Sequence, residues 1–217
     1  MAECTDNVGI SHIECDFCEN TLNSFLYNLN SILVILGVLD FSAEEEPFAQ
    51  AERRVKRKIL HENFNSKGEY DVALLELTNK INYQPNIIPI CLPHPNTDFT
   101  GLEGIITGWG RTNWNAPPSP ILLKVSLPIL SDAECSVHLN YHHPSFLCSG
   151  DINGGRDSCS GDSGGPLQVQ AHNKKFYLAG ILSSGGAMCA EKGVIGVYTK
   201  ITLVIPWIKM WTGIEIF

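Results

Sequence analysis

An antiparallel all-β protein, a barrel or a sandwich, is what this sequence predicts, on three observations. Short apolar or alternating runs recur between turn signals along most of the chain. Pro and Gly recur through the second half (Pro117, Pro118, Pro120, Gly154, Gly155, Gly185, Gly186), where they would repeatedly break helices. A helical pattern is found only near the end. The chain has 217 residues, 44% of them hydrophobic and 18% charged against roughly 25% in average domains, so it can build a packed core and is not a disordered chain.

Taken in order, the first thirty residues carry no clear pattern, and 20–31 is Asn-rich with too little alternation to assign strands. Strands are expected in the runs 32–39, 55–60, 72–77, 105–107, 121–127, 176–182 and 194–201. The stretch 117–120 reads as a turn rather than a hinge. At 205–211, Pro206 falls in a first-turn position with apolar residues following at helical spacing, which predicts a short closing helix.

A net charge of −8 repels a phosphate backbone, so nucleic-acid partners are excluded. The longest apolar run, 32–39, is far short of the roughly 20 residues that span a bilayer. The opening residues Ala2-Glu3-Cys4-Thr5-Asp6 lack the features of a secretory signal, so the expectation is a cytosolic chain or one whose beginning is missing. Eight cysteines are compatible with thiols, ligands or disulfides, and their positions have to decide.

The segment Asp157-Ser158-Cys159-Ser160-Gly161-Asp162-Ser163-Gly164-Gly165-Pro166-Leu167 flanks a serine with glycines that let backbone amides approach a reacting oxygen, making Ser163 the candidate nucleophile. A short Gly-Ser motif alone would read as a surface turn; eleven residues in specific order do not. Together with Asp71-Val72-Ala73-Leu74-Leu75, Thr107-Gly108-Trp109-Gly110 and Gly196-Val197-Tyr198-Thr199-Lys200, the segment resembles the trypsin/chymotrypsin-like serine proteases, from about residue 32 to 211.

The resemblance implies a double β-barrel with its N-terminal barrel incomplete: an atypical segment at 1–31, a barrel remnant at 32–95, and the C-terminal barrel with its closing helix at 96–217. It implies catalytic roles for Ser163 and Asp71, an oxyanion hole from the N–H groups of Gly161 and Ser163, and Asp162 as partner of an activation N-terminus. Asp157, six residues before the serine, matches the floor of the specificity pocket, with Ser183, Gly185 and Gly196 on its walls; a desolvated carboxylate there selects Arg or Lys. Cys135 with Cys148, and Cys159 with Cys189, match family disulfides, which implies an extracellular, secreted protein. Gly104 and Val169 stand where another family bridge would be, so both halves of it are absent together. Cys91 matches a cysteine that tethers an upstream pro-region in many relatives; Cys4, Cys15 or Cys18 could serve as its partner.

Departures from the family pattern are equally specific. Relatives place the catalytic histidine immediately before a cysteine, here best matched by Cys18, but the preceding residue is Phe17, which cannot accept a proton. His12 lies six residues from Cys18 rather than beside it, and His61, His142 and His143 are expected in surface loops. No Ile-Val-Gly-Gly-like start is present to pair with Asp162. Ser184 replaces a Trp that walls the substrate cleft in relatives. With the first barrel strands missing, the sheet after residue 32 is expected to be open-edged, and 1–31 to be what could fill the gap. The basic run 53–58 could bind an anionic partner or be cut, though alternation around Val55 suits an exposed strand. No cofactor is expected, and no calcium site near Glu44-Glu45-Glu46, because Val38 stands where relatives offer a carboxylate.

Two readings follow. The first is a secreted endopeptidase lineage cleaving after Arg or Lys, represented by a chain that is itself nearly inactive. The second is a non-catalytic homologue that binds cascade proteins or protease inhibitors through the retained cleft. Retention of Asp71, Asp157, Asp162 and Ser163 favours the first.

Overall fold

The computed structural model describes residues 29–186 and 188–215. Within them the protein is mostly β, with two antiparallel sheets and a C-terminal helix. Strands β1 (Leu33–Leu36), β2 (Ala51–Leu60) and β3 (Ala73–Leu77) form the first sheet in that order. The second contains β4 (Glu103–Gly108), β5 (Leu123–Pro128), β6 (Phe146–Ser149), β7 (Pro166–Gln170), β8 (Phe176–Ser184) and β9 (Gly196–Lys200), ordered β5-β4-β7-β8-β9-β6. It curls until its two edges meet, where Ile129 pairs with Ser149 and Leu130 N–H donates to the Cys148 carbonyl at 2.9 Å. Helix α1 (Asp132–His138) precedes β6, and α2 (Ile201–Thr212) follows β9.

β1 covers only Leu33–Leu36 of the apolar run 32–39, because Gly37 turns the chain at φ +81°, a backbone conformation that L side chains rarely adopt. β2 alternates around buried Val55, and Lys56 and Arg57 on its exposed side both reach Glu76, at 2.5 and 2.9 Å. These exposed pairs contribute little to stability. Among the described residues β1 is the outer strand of its sheet, with β2 on one side only.

Three elements were not legible as apolar runs. β6 is buried at all four positions and therefore shows no alternation, and β7 begins at a Pro behind a glycine-rich loop. α1 announces itself differently, through a capping box in which Ser131 and Glu134 bond each other's backbone N–H.

The closing helix is longer than predicted and Pro206 is not in its first turn. It starts at Ile201, so the proline sits inside it and deprives the Thr202 carbonyl of its usual donor. The apolar stripe Ile201, Val204, Ile205 and Ile208 is almost wholly buried, and that burial outweighs a proline penalty of about 3 kcal/mol. The same stripe packs against Leu74 of the first sheet, Val72 just before it, and Leu178 and Ile181 of the second, joining the two. His61, expected in a surface loop, is instead 6% exposed: its ring stacks on Tyr70 at 4.7 Å and lies 4.9 Å from Trp207. Burial holds its pKa below the ordinary histidine value.

Candidate active site

The loop carrying Ser163 runs from Asp157 into β7 and is fixed from several sides. Asp162 N–H donates to the Cys159 carbonyl and Gly165 N–H to the Asp162 carbonyl, both at 2.9 Å. Gly164 N–H donates to the Leu182 carbonyl on β8 at 2.8 Å. A disulfide joins Cys159 to Cys189 beyond the end of β8, and another joins Cys135 on α1 to Cys148 on β6. Cys91 is also disulfide-bonded; the cysteines that could pair with it, Cys4, Cys15 and Cys18, lie outside the described residues, as do Phe17 and His12.

Gly161 adopts φ +97°, and a Cβ there would lie 3.1 Å from Gly110 Cα, so glycine is required on both conformational and steric grounds. Among the described residues, neither the Gly161 nor the Ser163 N–H is committed to an acceptor. Two unclaimed amides beside a serine are what oxyanion stabilisation needs.

The Asp162 carboxylate lies behind this loop. It accepts from Gly110 N–H on one oxygen and Cys159 N–H on the other, each at 2.9 Å. Gly108 and Gly110 make room for it: a Cβ on Gly110 would sit 2.5 Å from Asp162 Oδ1. Burial raises its pKa and the two N–H donors partly offset that. No basic side chain among the described residues pairs with it.

Asp157 accepts from Ser158 N–H at 2.8 Å and Ala190 N–H at 3.1 Å, and burial again raises its pKa. Such a carboxylate gains most from a cation that replaces lost water. At Gly185 an added Cβ would meet nothing within 4 Å, whereas at Gly196 it would run into the Tyr198 ring at 2.9 Å. Tyr198 is completely buried, which pushes its phenol pKa upward.

Asp71 immediately precedes the segment entering β3. Its carboxylate accepts from the Ser183 hydroxyl at 2.7 Å, and its carbonyl from the Thr199 hydroxyl at 2.6 Å. Burial raises the carboxyl pKa, with the Ser183 bond pulling the other way. Ser183, expected on the pocket wall, thus turns its hydroxyl to Asp71, and Thr199 was missed although its motif was visible. Because Leu182, next to Ser183, binds Gly164, next to Ser163, Asp71 and Ser163 converge on the same end of β8. Among the described residues no histidine bonds to either. Ser184, at the position of the missing Trp, is exposed.

Comparison with known proteins agrees with this architecture. The trypsin family model matches residues 24–208. Serine protease filzig of Drosophila melanogaster is 37% identical over 194 residues, 86% of this chain and 11% of the relative; serine proteinase stubble of the same fly is 37% identical over 187 residues, 83% and 24%. Trypsin-1 of Astacus astacus is 38% identical over 185 residues, 84% of this chain and 76% of the relative. The chain belongs to the trypsin family of serine proteases, and it spans only a small part of the two fly relatives.

Proposed function

We propose that this chain is the peptidase domain of a secreted, trypsin-like endopeptidase lineage that keeps the substrate cleft but lacks the proton relay. The halves 32–95 and 96–217 form one unit. Asp157 receives an Arg or Lys side chain, Gly161 and Ser163 supply the oxyanion amides, and Asp71 is the carboxylate that would orient a histidine. One observation carries this reading: among the described residues no histidine bonds to Asp71 or Ser163, and the Ser183 hydroxyl on one oxygen of the Asp71 carboxylate is the side-chain donor it has. A serine without a base remains a neutral alcohol, and the oxyanion amides alone leave only residual catalysis. Asp162, with N–H donors but no basic side chain among the described residues, supports the same conclusion about activation. The disulfides support an extracellular setting.

The test is turnover and labelling on the purified chain, using an Arg-containing amide substrate and a fluorophosphonate probe, with Ser163→Ala as control. No serine-dependent turnover and no labelling of a folded sample is expected. Turnover lost in Ser163→Ala would overturn the inactive reading and make His12 the next residue to substitute. Benzamidine binding to the same sample, abolished by Asp157→Ser, is expected from the retained pocket; its absence would remove the Arg/Lys assignment. A non-catalytic role in binding inhibitors or cascade proteins is favoured by inactivity with an intact pocket.

A further inference from the structure

β2 carries five of the chain's 15 Lys and Arg residues within six positions, Arg53, Arg54, Lys56, Arg57 and Lys58, although the net charge of the whole chain is −8. The strand gathers these charges instead of alternating them. Regular pleating would send Lys56 and Arg57 to opposite faces, but the register shifts between Val55 and Arg57, and both side chains emerge on the same side to share the Glu76 carboxylate. Exposed Arg54, two positions before Lys56, extends that face, while Val55 turns inward. Arg57 is also held over the Trp211 ring, 5.7 Å from its centroid. Arg53 lies on the opposite face, where the carbonyls of Glu52 and Lys80 fix its guanidinium without neutralising it. We propose that the exposed face of β2 is a docking site for a linear sulfated polysaccharide.

Charge and shape select this partner. At physiological salt a charge acts over about 8 Å, so the cations of β2 govern what approaches it, rather than the net charge of the chain. One carboxylate, Glu76, is set against both Lys56 and Arg57, and exposed pairs of this kind are weak enough for a denser anion to displace. Three of the five cations are Arg, whose planar fork grips an oxyanion through two parallel bonds. Six residues of strand span about 17 Å, a length suited to a chain of repeated anions rather than to a single ion. An acidic protein would draw much of its affinity from apolar anchors, and Val55, the apolar residue of the run, is buried. A nucleic-acid duplex is far wider and would also meet the acidic remainder of the surface. The choice of sulfate over phosphate rests on the extracellular setting proposed above; the binding itself is independent of whether Ser163 is active.

Isothermal titration of the full oxidised chain with a heparin dodecasaccharide tests it, with desulfated heparin and polyglutamate as the other two probes. Heparin is expected to bind, with an affinity that falls steeply as salt rises, and desulfated heparin is not. Lys56→Gln/Arg57→Gln is expected to weaken heparin binding at least about tenfold, because each lost ionic contact also forfeits a released counterion. Lys124→Gln/Lys192→Gln removes the same charge from exposed positions elsewhere and is expected to change it by less than about twofold. Glu76→Gln unpairs both cations and is expected to tighten binding about threefold, a gain that misfolding does not produce. Absence of heparin binding, or an equal loss in the two double variants, would overturn the inference. Polyglutamate bound as tightly as heparin would overturn it too, assigning the strand to an acidic protein. Benzamidine binding, which reads the pocket at Asp157, is expected to be the same in all variants, so failure here is distinguishable from failure of the proposed function.

Discussion

The first sheet assembles a small core around Val34, Leu36, Val55 and Ile87, whereas the second closes over Ile106, Leu127, Leu147, Leu167, Ala179 and Tyr198 and is cross-linked by two disulfides. The proposed site residues divide the same way. Ser163, Gly161, Asp162 and Asp157 belong to the second sheet and its loops; Asp71 comes from the first and is held by α2 packing and Ser183. The serine loop is thus held mainly by the second sheet, while the core under α2 ties that sheet to the first. The sharpest expectation is a difference in stability. Leu167→Ala, at a fully buried position in the larger core, should cost about 3–5 kcal/mol, and Leu36→Ala, in the small core of the first sheet, about 2–3 kcal/mol, both read by denaturant unfolding. Equal costs would mean the core of the first sheet is as well packed as that of the second.

A smaller effect separates the two buried aspartates behind the site. Asp162→Asn keeps one acceptor oxygen for two N–H donors and should lose about 1–2 kcal/mol, because a buried donor is left unpaired. Asp71→Asn still accepts from Ser183 and should be neutral or slightly stabilising at neutral pH. The sign follows from linkage. The Asp71 carboxyl is raised above 3.8 when folded, so the folded state holds its proton longer, and stability falls as pH rises from 3.8 through the raised value, the loss persisting above it. Asn at 71 lacks that loss, so melting curves of wild type and variant should diverge as pH rises. If they run parallel, the Asp71 carboxyl is not desolvated.

How much was legible follows from these same residues. The serine loop could be read because glycine at 161, with its positive φ, and glycine at 110, against the Asp162 carboxylate, are chemically irreplaceable and leave a fixed pattern in the chain. The strands with one buried face were legible by alternation; β6, buried throughout, was not. Pro206 misled because a local rule about first turns yielded to the buried stripe of α2, which is visible only once both sheets are present. The bond from Ser183 to Asp71 joins residues 112 apart, and nothing local in either segment signals it.

His61 gives the smallest effect and tests the junction between the halves. It lies between Tyr70 and Trp207, where the loop before β3 meets α2. Burial lowers its folded pKa below 6.5, the negative charge of Glu62 opposing this in part. The unfolded chain therefore takes up a proton first as pH falls, and stability is lost from 6.5 down to the lowered value. His61→Phe keeps an aromatic ring in the stack while removing the titration, at the cost of the acceptor for Asn63 N–H, a bond of 3.2 Å. The variant should lie slightly below wild type at neutral pH and regain about 1–3 °C on it near pH 5.5, read by thermal melts. A constant offset across that range would mean that His61 remains solvated and that the loop before β3 is looser against α2 than its ring contacts imply.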